Sequence, residues 1–202
     1  MAYRDFKMET LNTKFSIVQA ISCLFKNTPH IAPSAWLTAT LERNSLFPKT
    51  TEKAVSEYLI NPILSEIVIL NNRKITLLSG EQLNADKLQN LNGEVDFMFL
   101  HIPYTVEVQS PVICITEAKL NQATEKSIPQ AAAQMFGAQV FNKNHDKPTE
   151  TMYGAVTDGE KWIFLKLHNL VLTIDTERYV TKNLPELLGV LHFIVQEQMK
   201  MV

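Results

Sequence analysis

The sequence predicts a mixed α/β domain in which most strands follow one another directly. Two short apolar runs, Val95–Leu100 and Val112–Lys119, have the length and the β-branched and aromatic content of strand interiors. An apolar stripe at helical spacing precedes them over residues 50–70, and an alanine-rich helix follows them. Beyond that helix, two more strand-like runs flank Asp158-Gly159, which is typical of a hairpin turn. This order of elements predicts a sheet flanked by helices.

Composition sets the class of protein but not its function. With 202 residues, 46% of them hydrophobic and 20% charged, the chain has the make-up of one sizeable globular domain. A formal net charge of −2 produces no strong general attraction to nucleic acid, so any such binding needs a local patch. No run is long enough to span a bilayer, and the first residues are too charged for a signal peptide. We therefore expect a cytoplasmic protein without a membrane partner.

Residues 1–48 are expected to form a helical extension outside the main domain, which covers residues 49–202. Apolar positions from Phe15 to Phe25 fit one amphipathic helix, and those from Trp36 to Leu41 fit a second. Nothing in the segment suggests chemistry. We expect these helices to pack on the core, or to form the interface of a homodimer or of a complex with a partner protein.

The segment 50–70 is the strongest helix candidate before the two central strands. Thr50 or Thr51 can act as the N-cap. Pro62 is expected to kink the helix, and Asn71-Asn72 to end it.

Two carboxylates of this helix are candidates for a site. Glu52 projects near the centre of the apolar stripe, and Glu57 lies about a third of a turn away. Glu52 either complements the helix dipole at an exposed first turn or points inward to a site, and both interpretations stay open. Glu66 also falls near the stripe.

The other elements are predicted from short patterns. A helix begins near Pro129, a favourable first-turn residue, and places Gln130 and Gln134 on one face because they are four apart. The remaining predictions are a strand over Lys74–Ser79, a loop over Glu81–Asn92, strands over Met152–Thr157, Lys161–Leu167 and Asn169–Asp175, and a last helix from Asn183.

Three polar side chains interrupt the two central strands. Glu117 and Lys119 share a face with Ile113 and Ile115, because side chains alternate along a strand, and Asp96 interrupts the other strand. Charged groups are costly to bury unless they are paired or bind a metal. If the strands are neighbours, the three side chains converge. They form either a metal site or a structural ion pair, and the first interpretation is favoured.

An inward Asp and Glu beside one Lys suit metal-assisted hydrolysis of a phosphodiester. Mg²⁺ takes carboxylate and carbonyl oxygens and water, so Asp96, Glu117 and the carbonyl of Ala118 are candidate ligands of Mg²⁺ or Mn²⁺. The ion would lower the pKa of a bound water. Lys119 would orient that water or stabilise the charge that develops on the phosphate.

These residues also carry a resemblance to a known family. Asp96 followed by Glu117-Ala118-Lys119 resembles the motif of the PD-(D/E)XK nuclease superfamily. The helix with Thr51-Glu52 is similar to the one before the motif in type I restriction motor subunits, and the hairpin from Tyr153 to Trp162 is similar to one that recurs in such domains. The whole chain resembles a group of uncharacterised cyanobacterial proteins of this fold.

The resemblance implies a restriction-endonuclease-like sheet with an αβββαβ core and a Mg²⁺-dependent nuclease that acts on DNA. It implies catalytic roles for Lys119, for Glu52 (with Glu57 as the fallback) and for the helix glutamine Gln130. Gln134, at a position where many members carry tyrosine, is a candidate for contacting the substrate.

Two alternatives stay open at this stage. Lys126 could line a DNA-binding edge, or it could belong to a plain solvated surface. The chain as a whole could be a catalytically silent nuclease fold that serves as a binding or assembly module.

Overall fold

A single mixed sheet carries the functional residues and both hydrophobic cores. The computed structural model describes residues 2–120 and 125–201. Its strands are β1 (Val18–Ser22), β2 (Thr76–Gln82), β3 (Glu94–Leu100), β4 (Val112–Ala118), β5 (Thr151–Thr157), β6 (Lys161–His168), β7 (Val171–Asp175) and β8 (Tyr179–Val180). Its helices are α1 (Met8–Phe15), α2 (Ala35–Asn44), α3 (Glu52–Val55), α4 (Asn61–Leu70), α5 (Ile128–Asn144) and α6 (Leu184–Met201).

The strand order across the sheet is β1-β7-β6-β5-β4-β3-β2, with β8 paired to β6. Strands β1 and β7 are parallel, as are β4 and β5, and the other pairs are antiparallel. The predicted α/β class, with a mixed sheet flanked by helices, is therefore confirmed. Strands β3 and β4 are neighbours inside this sheet, as the convergence of the three polar side chains requires.

The amphipathic helix predicted from Phe15 to Phe25 is wrong. Helix α1 ends at Phe15, because Ser16 adopts a left-handed conformation with φ of 59° and stops the helical hydrogen bonding. The residues that follow form β1, which pairs with β7 at one edge of the sheet. Ile21 is 73% exposed, so its apolar side chain marks neither a helical face nor the core. The second expected helix is present as α2, with Ser34 as its N-cap.

The first residues also contribute to the interior. Tyr3, Leu11 and Ile17 are buried in the core that lies between the sheet and α5. Residues on both sides of the expected boundary at 48/49 thus share one sheet and both cores. The division into an extension and a main domain stays a prediction.

Each face of the sheet has its own core. Helix α5 covers one face, and α4 and α6 cover the other. A shift in register between Phe99 and Leu100 turns Ile113 toward the α6 face, whereas Ile115 faces α5. The expectation that Ile113 and Ile115 share a face is therefore wrong, because a bulge interrupts the alternation. Glu117 lies beyond the bulge and keeps the face of Ile115.

The helix predicted over 50–70 forms in three parts, with Thr51 as the N-cap whose Oγ1 accepts a hydrogen bond from the Ala54 amide at 3.1 Å. A π-helical turn over Ser56–Ile60 separates α3 from α4 just before Pro62. Proline has no N–H to donate to the carbonyl four residues earlier. That carbonyl, of Tyr58, accepts a hydrogen bond from Asn44 Nδ2 at 2.9 Å instead.

Two strands differ from the sequence expectation. Strand β2 continues past Gly80 to Gln82, where a loop was expected, because its residues keep pairing with β3. Gly80 makes this possible with a φ of 69°, a conformation that favours glycine. Strand β8 was not predicted, since two residues carry no detectable pattern. The hairpin around Asp158-Gly159 and the last helix, α6, are confirmed.

The described helices include none that is both long enough and apolar enough to cross a bilayer. Helix α6 is apolar on the face that packs on the sheet and carries polar residues elsewhere.

We expect Gly189→Ala in α6 to destabilise the fold by about 1–3 kcal/mol. A Cβ at this position would collide with the carbonyl oxygen of Pro29, a backbone atom that cannot rotate away, and would lie 3.1 Å from its carbon. At an exposed helical site the same change is stabilising. Urea unfolding measures the effect. Glu42→Ala on the exposed face of α2 is the control and should change stability by less than about 0.5 kcal/mol.

Candidate active site

Asp96 and Glu117 face each other across two paired strands. Phe97 of β3 pairs with Thr116 of β4. Because the two strands are antiparallel, Asp96, one residue before Phe97, lies opposite Glu117, one residue after Thr116. Directly opposite residues of an antiparallel pair point to the same face, with Cα atoms about 4.5–5.5 Å apart. Both residues line one cavity of about 500 Å³, together with Lys119 and Gln130. We call this cavity the site cavity.

The Glu117 carboxylate is the most buried charged group of the site, with 1% of the residue exposed. Its Oε1 lies 2.6 Å from Lys119 Nζ, and its Oε2 accepts a hydrogen bond from Gln134 Nε2 at 2.8 Å. One cation from the end of β4 and one amide from α5 therefore hold the two oxygens. The sequence left open whether Lys119 and Glu117 form a structural ion pair or a functional site, and the contact itself is present.

Burial and, next, the nearby charge of Asp96 raise the pKa of Glu117 to about 7, although the Lys119 cation and the Gln134 hydrogen bond act in the opposite direction. Burial lowers the pKa of Lys119, but the carboxylates of Glu117, Asp96 and Glu52 outweigh that effect and raise it overall. Lys119 therefore stays charged at neutral pH, whereas Glu117 exchanges its proton there.

Asp96 is held by the backbone of β4. The Ala118 amide donates a hydrogen bond to Asp96 Oδ2 at 2.7 Å. Burial raises the pKa of Asp96, and the charges of Glu52 and Glu94 act in the same direction. Because the N–H and C=O of one strand residue project to the same side, the Ala118 carbonyl also faces β3. The three candidate ligands therefore lie at one end of the β3–β4 pair.

The two glutamines of α5 have different environments. Gln130 lines the site cavity and is half-buried. Gln134, one turn further, is fully buried, and its Oε1 has no hydrogen-bond partner within the described residues. Its Nε2 is also 3.4 Å from the carbonyl oxygen of Glu94. Gln134 thus orients Glu117 from the α5 side. It does not line the cavity where a substrate would enter.

The helix carboxylate of the site is better assigned to Glu52 than to Glu57. The charge of Glu52 raises the pKa of both Asp96 and Lys119, so it lies within electrostatic reach of them. Glu57 is exposed and pairs with Lys53 at 3.7 Å. Glu52 is itself exposed at the start of α3 and does not line the site cavity.

Two other residues have no part in the cluster. Lys126 is exposed in a short 3₁₀ turn before α5 and does not line the site cavity. Glu66 is buried because its oxygens accept hydrogen bonds from the Ser34 amide at 2.8 Å and from the Ser34 hydroxyl at 2.9 Å. Its position near the apolar stripe therefore reflects the capping of α2.

The structure adds residues to the site that sequence reasoning missed. Arg4, Gln82 and Glu94 line the same cavity. Glu94 is two residues before Asp96 on one strand, so the alternation of side chains could have indicated it. No local signal links Arg4 to residues about a hundred positions away. Its placement depends on how the first residues pack.

A larger groove, of about 800 Å³, lies away from these residues between α4 and β2. Its walls are mainly apolar and include Trp36, Ile69 and Tyr104. The one carboxylate there is Glu66, which is engaged with Ser34. The groove therefore lacks the chemistry that the smaller site cavity contains.

The donor set of the site cavity suits a hard divalent cation. Asp96 and Glu117 line the cavity with carboxylate oxygens, the donors that Mg²⁺ prefers, whereas the predicted ligand Ala118 does not line it. Among the described residues, no group of three or more His, Cys, Asp or Glu side chains is arranged to hold a metal ion. Mg²⁺ is commonly bound by one or two carboxylates and retains several waters, so a pair of carboxylates is compatible with it.

Comparison with known proteins adds no family assignment to this geometry. No protein-family model matches the chain, and no curated protein matches it. The resemblance to PD-(D/E)XK nucleases therefore stays a prediction. The arguments that follow depend on the geometry of Asp96, Glu117 and Lys119.

We expect Asp96→Asn to lower the pH at which Glu117 titrates, from about 7 toward the ordinary range of a glutamate, because the negative charge that raises the pKa of Glu117 is removed. The asparagine oxygen can still accept the Ala118 hydrogen bond. Carbon-detected NMR of the glutamate carboxyls measures the midpoint. Asp146→Asn, at an exposed position just after α5, is the matched control. An unchanged midpoint in the Asp96 variant would contradict the proximity of the two carboxylates.

Stability should fall as pH rises through the same range. The folded pKa of Glu117, about 7, lies above the ordinary glutamate value of 4.5, so the folded state binds this proton more tightly. The free energy of unfolding therefore decreases between pH 4.5 and 7 and then levels. We expect Glu117→Gln to remove the part of this decrease that Glu117 contributes, roughly 3 kcal/mol, since one pKa unit corresponds to about 1.4 kcal/mol. Urea unfolding at a series of pH values measures it, and an identical slope in both proteins refutes it.

Proposed function

We propose that this protein is a Mg²⁺-dependent nuclease that hydrolyses phosphodiester bonds of DNA. The observation that carries the proposal is the convergence of Asp96, Glu117 and Lys119 in one cavity at the end of two adjacent strands. Two carboxylates able to share a hard cation, beside a lysine that stays protonated, are the groups that metal-assisted phosphodiester hydrolysis needs.

The element order gives further support. A helix, three consecutive strands, a helix and a strand follow one another from α3 to β5, which is the αβββαβ order of a restriction-endonuclease-like core. Asp96 and Glu117 lie on the second and third of these strands. Fold class alone does not imply activity, so the proposal depends on the site.

Each residue of the site has a defined task in this proposal. Asp96, Glu117 and the Ala118 carbonyl would hold the cation, which would lower the pKa of a water and neutralise charge on the phosphate. Lys119 moves from the Glu117 carboxylate to orient the attacking water and to stabilise the developing negative charge. Gln130 contacts the substrate or water at the cavity wall, and Glu52 contributes negative charge within electrostatic reach of Asp96 and Lys119.

The site is also predicted to be sensitive to pH. A proton, the Lys119 ammonium and the cation compete for the same Glu117 oxygens. Because metal binding requires a deprotonated carboxylate, affinity for Mg²⁺ should rise as pH increases through about 7.

A second function is supported by a specific observation. Both Glu117 oxygens already have partners in the protein, Lys119 and Gln134. A carboxylate satisfied in this way can be a structural element of a catalytically silent nuclease fold that serves in binding or assembly. Calorimetry separates the two proposals, because the silent fold would show no Mn²⁺ binding that Asp96→Ala abolishes.

We expect the purified protein to cleave DNA in the presence of Mg²⁺, and Glu117→Gln and Lys119→Met each to lower kcat by about 100-fold or more. The reason is that one variant removes a ligand charge and the other removes the cation that acts in the transition state. Single-turnover cleavage of plasmid and of single-stranded DNA measures the rates.

Asp146→Asn, at an exposed position that does not line the site cavity, is the control and should retain wild-type rates. Equal cleavage by wild type and both site variants would indicate a contaminating nuclease. Absence of cleavage together with absence of Mn²⁺ binding would overturn the proposal in favour of the silent fold.

A further inference from the structure

The N-terminal turn, defined as Tyr3–Asp5, is built into the wall of the site cavity. Tyr3 is 1% exposed and anchors the turn in the core. Its amide donates a hydrogen bond to the carbonyl oxygen of Asn92 at 3.2 Å, just before β3 begins. The Ala2 amide donates to Asp5 Oδ2 at 2.7 Å, which closes the turn on itself. Phe6 follows the turn and is buried as well.

Two glycines allow the N-terminal turn to pack closely against the start of β3 and against α5. Gly93 has a φ of 141°, and a Cβ there would lie 3.5 Å from the Ala2 Cβ and from the Tyr3 ring. A Cβ on Gly137 of α5 would lie 2.8 Å from two ring carbons of Tyr3 and would collide with its hydroxyl. The turn is therefore held between β3 and α5, the two elements that also carry Asp96 and Gln134. Its position relative to the site is set by packing.

Arg4 is the part of the turn that faces the solvent side of the cavity. It lines the site cavity, and its side chain is exposed. Of the two cations that line the cavity, Lys119 is engaged with Glu117 at 2.6 Å. Arg4 has no acidic partner within 4 Å in the part of the chain that the structure describes. The charge of Arg4 is therefore available to a ligand that enters the cavity.

The charge balance of the cavity shows why such a group matters. Glu94, Asp96 and Glu117 bring three carboxylates to the cavity wall, against the cations of Arg4 and Lys119. A phosphodiester that enters is repelled by those carboxylates unless a cation offsets them. An arginine guanidinium matches the geometry of a phosphate and can donate two hydrogen bonds to it.

We propose that Arg4 binds a backbone phosphate of the nucleic acid and so positions the strand over Asp96 and Glu117. This inference rests on the proposed nuclease function and adds a substrate-binding residue to it. The contact is electrostatic and independent of base sequence, so it contributes affinity and register without specificity. The N-terminal turn is then part of the substrate-binding surface of the site.

The test is steady-state cleavage of a fluorescently labelled duplex oligonucleotide with Mg²⁺ at several salt concentrations. We expect Arg4→Ala to raise KM about tenfold with kcat changed less than about threefold, because one charge-assisted contact is lost in binding. The slope of log(kcat/KM) against log[salt] should become shallower by about 0.9, the value for one phosphate contact. Arg4→Lys keeps the charge and should restore the slope but only part of the affinity.

Arg43→Ala, which removes an exposed arginine from α2, is the matched control for the change in net charge and should leave KM and slope unchanged. Circular dichroism melts verify the fold, and Arg4→Gln, which removes the charge but keeps the methylene groups and a polar end, repeats the test with less perturbation of the turn. If wild type cleaves and Arg4→Ala behaves like Arg43→Ala, the role of Arg4 is overturned while the nuclease proposal stands. If wild type neither cleaves nor binds the duplex, both are overturned.

Discussion

The burial of the Glu117 carboxylate beside Asp96 is the constraint on which the rest of the site depends. A charged group with 1% exposure costs free energy unless other groups compensate it. Lys119 compensates from the same strand, and Gln134 from the helix that covers the sheet. This requirement fixes the register of β3 against β4 and the rotation of α5 about its axis, since a one-residue slip of β4 would turn Glu117 to the opposite face.

The same burial makes the protonation of Glu117 sensitive to pH near neutrality. Desolvation and the Asp96 charge together bring the pKa of Glu117 to about 7, so this carboxylate exchanges its proton near neutral pH while it lies against the Lys119 ammonium. Perturbed pKa values of this kind are common at functional sites, although structural ion pairs also produce them. In the proposed nuclease a divalent cation would displace the Lys119 ammonium from Glu117, whereas in a silent fold this ion pair would remain.

Much of the fold could be predicted because its signals are local. The interior strands β3, β4, β5 and β6 are apolar runs, and α4 and α6 show apolar residues at helical spacing. The strands at the edges of the sheet were harder to predict. Strand β1 is mostly exposed and forms because β7 offers its free hydrogen-bonding groups, and the end of β2 forms because β3 continues beside it. In both cases the conformation is decided by a partner strand distant along the chain, which local propensity does not report.

The sequence by itself determined which residues could do chemistry: Asp96, Glu117 and Lys119 are charges inside apolar strands, and no packing argument accounts for them. Tertiary structure decided how they are used. It assigned Gln134 to the orientation of Glu117, separated Lys126 from the cavity, and gave Glu66 to the cap of α2. It also brought Arg4 to the cavity through the packing of Tyr3 on Gly137. The physical reason is that a charge is recognised from its immediate neighbours in sequence, whereas its partners are selected by contacts between distant segments.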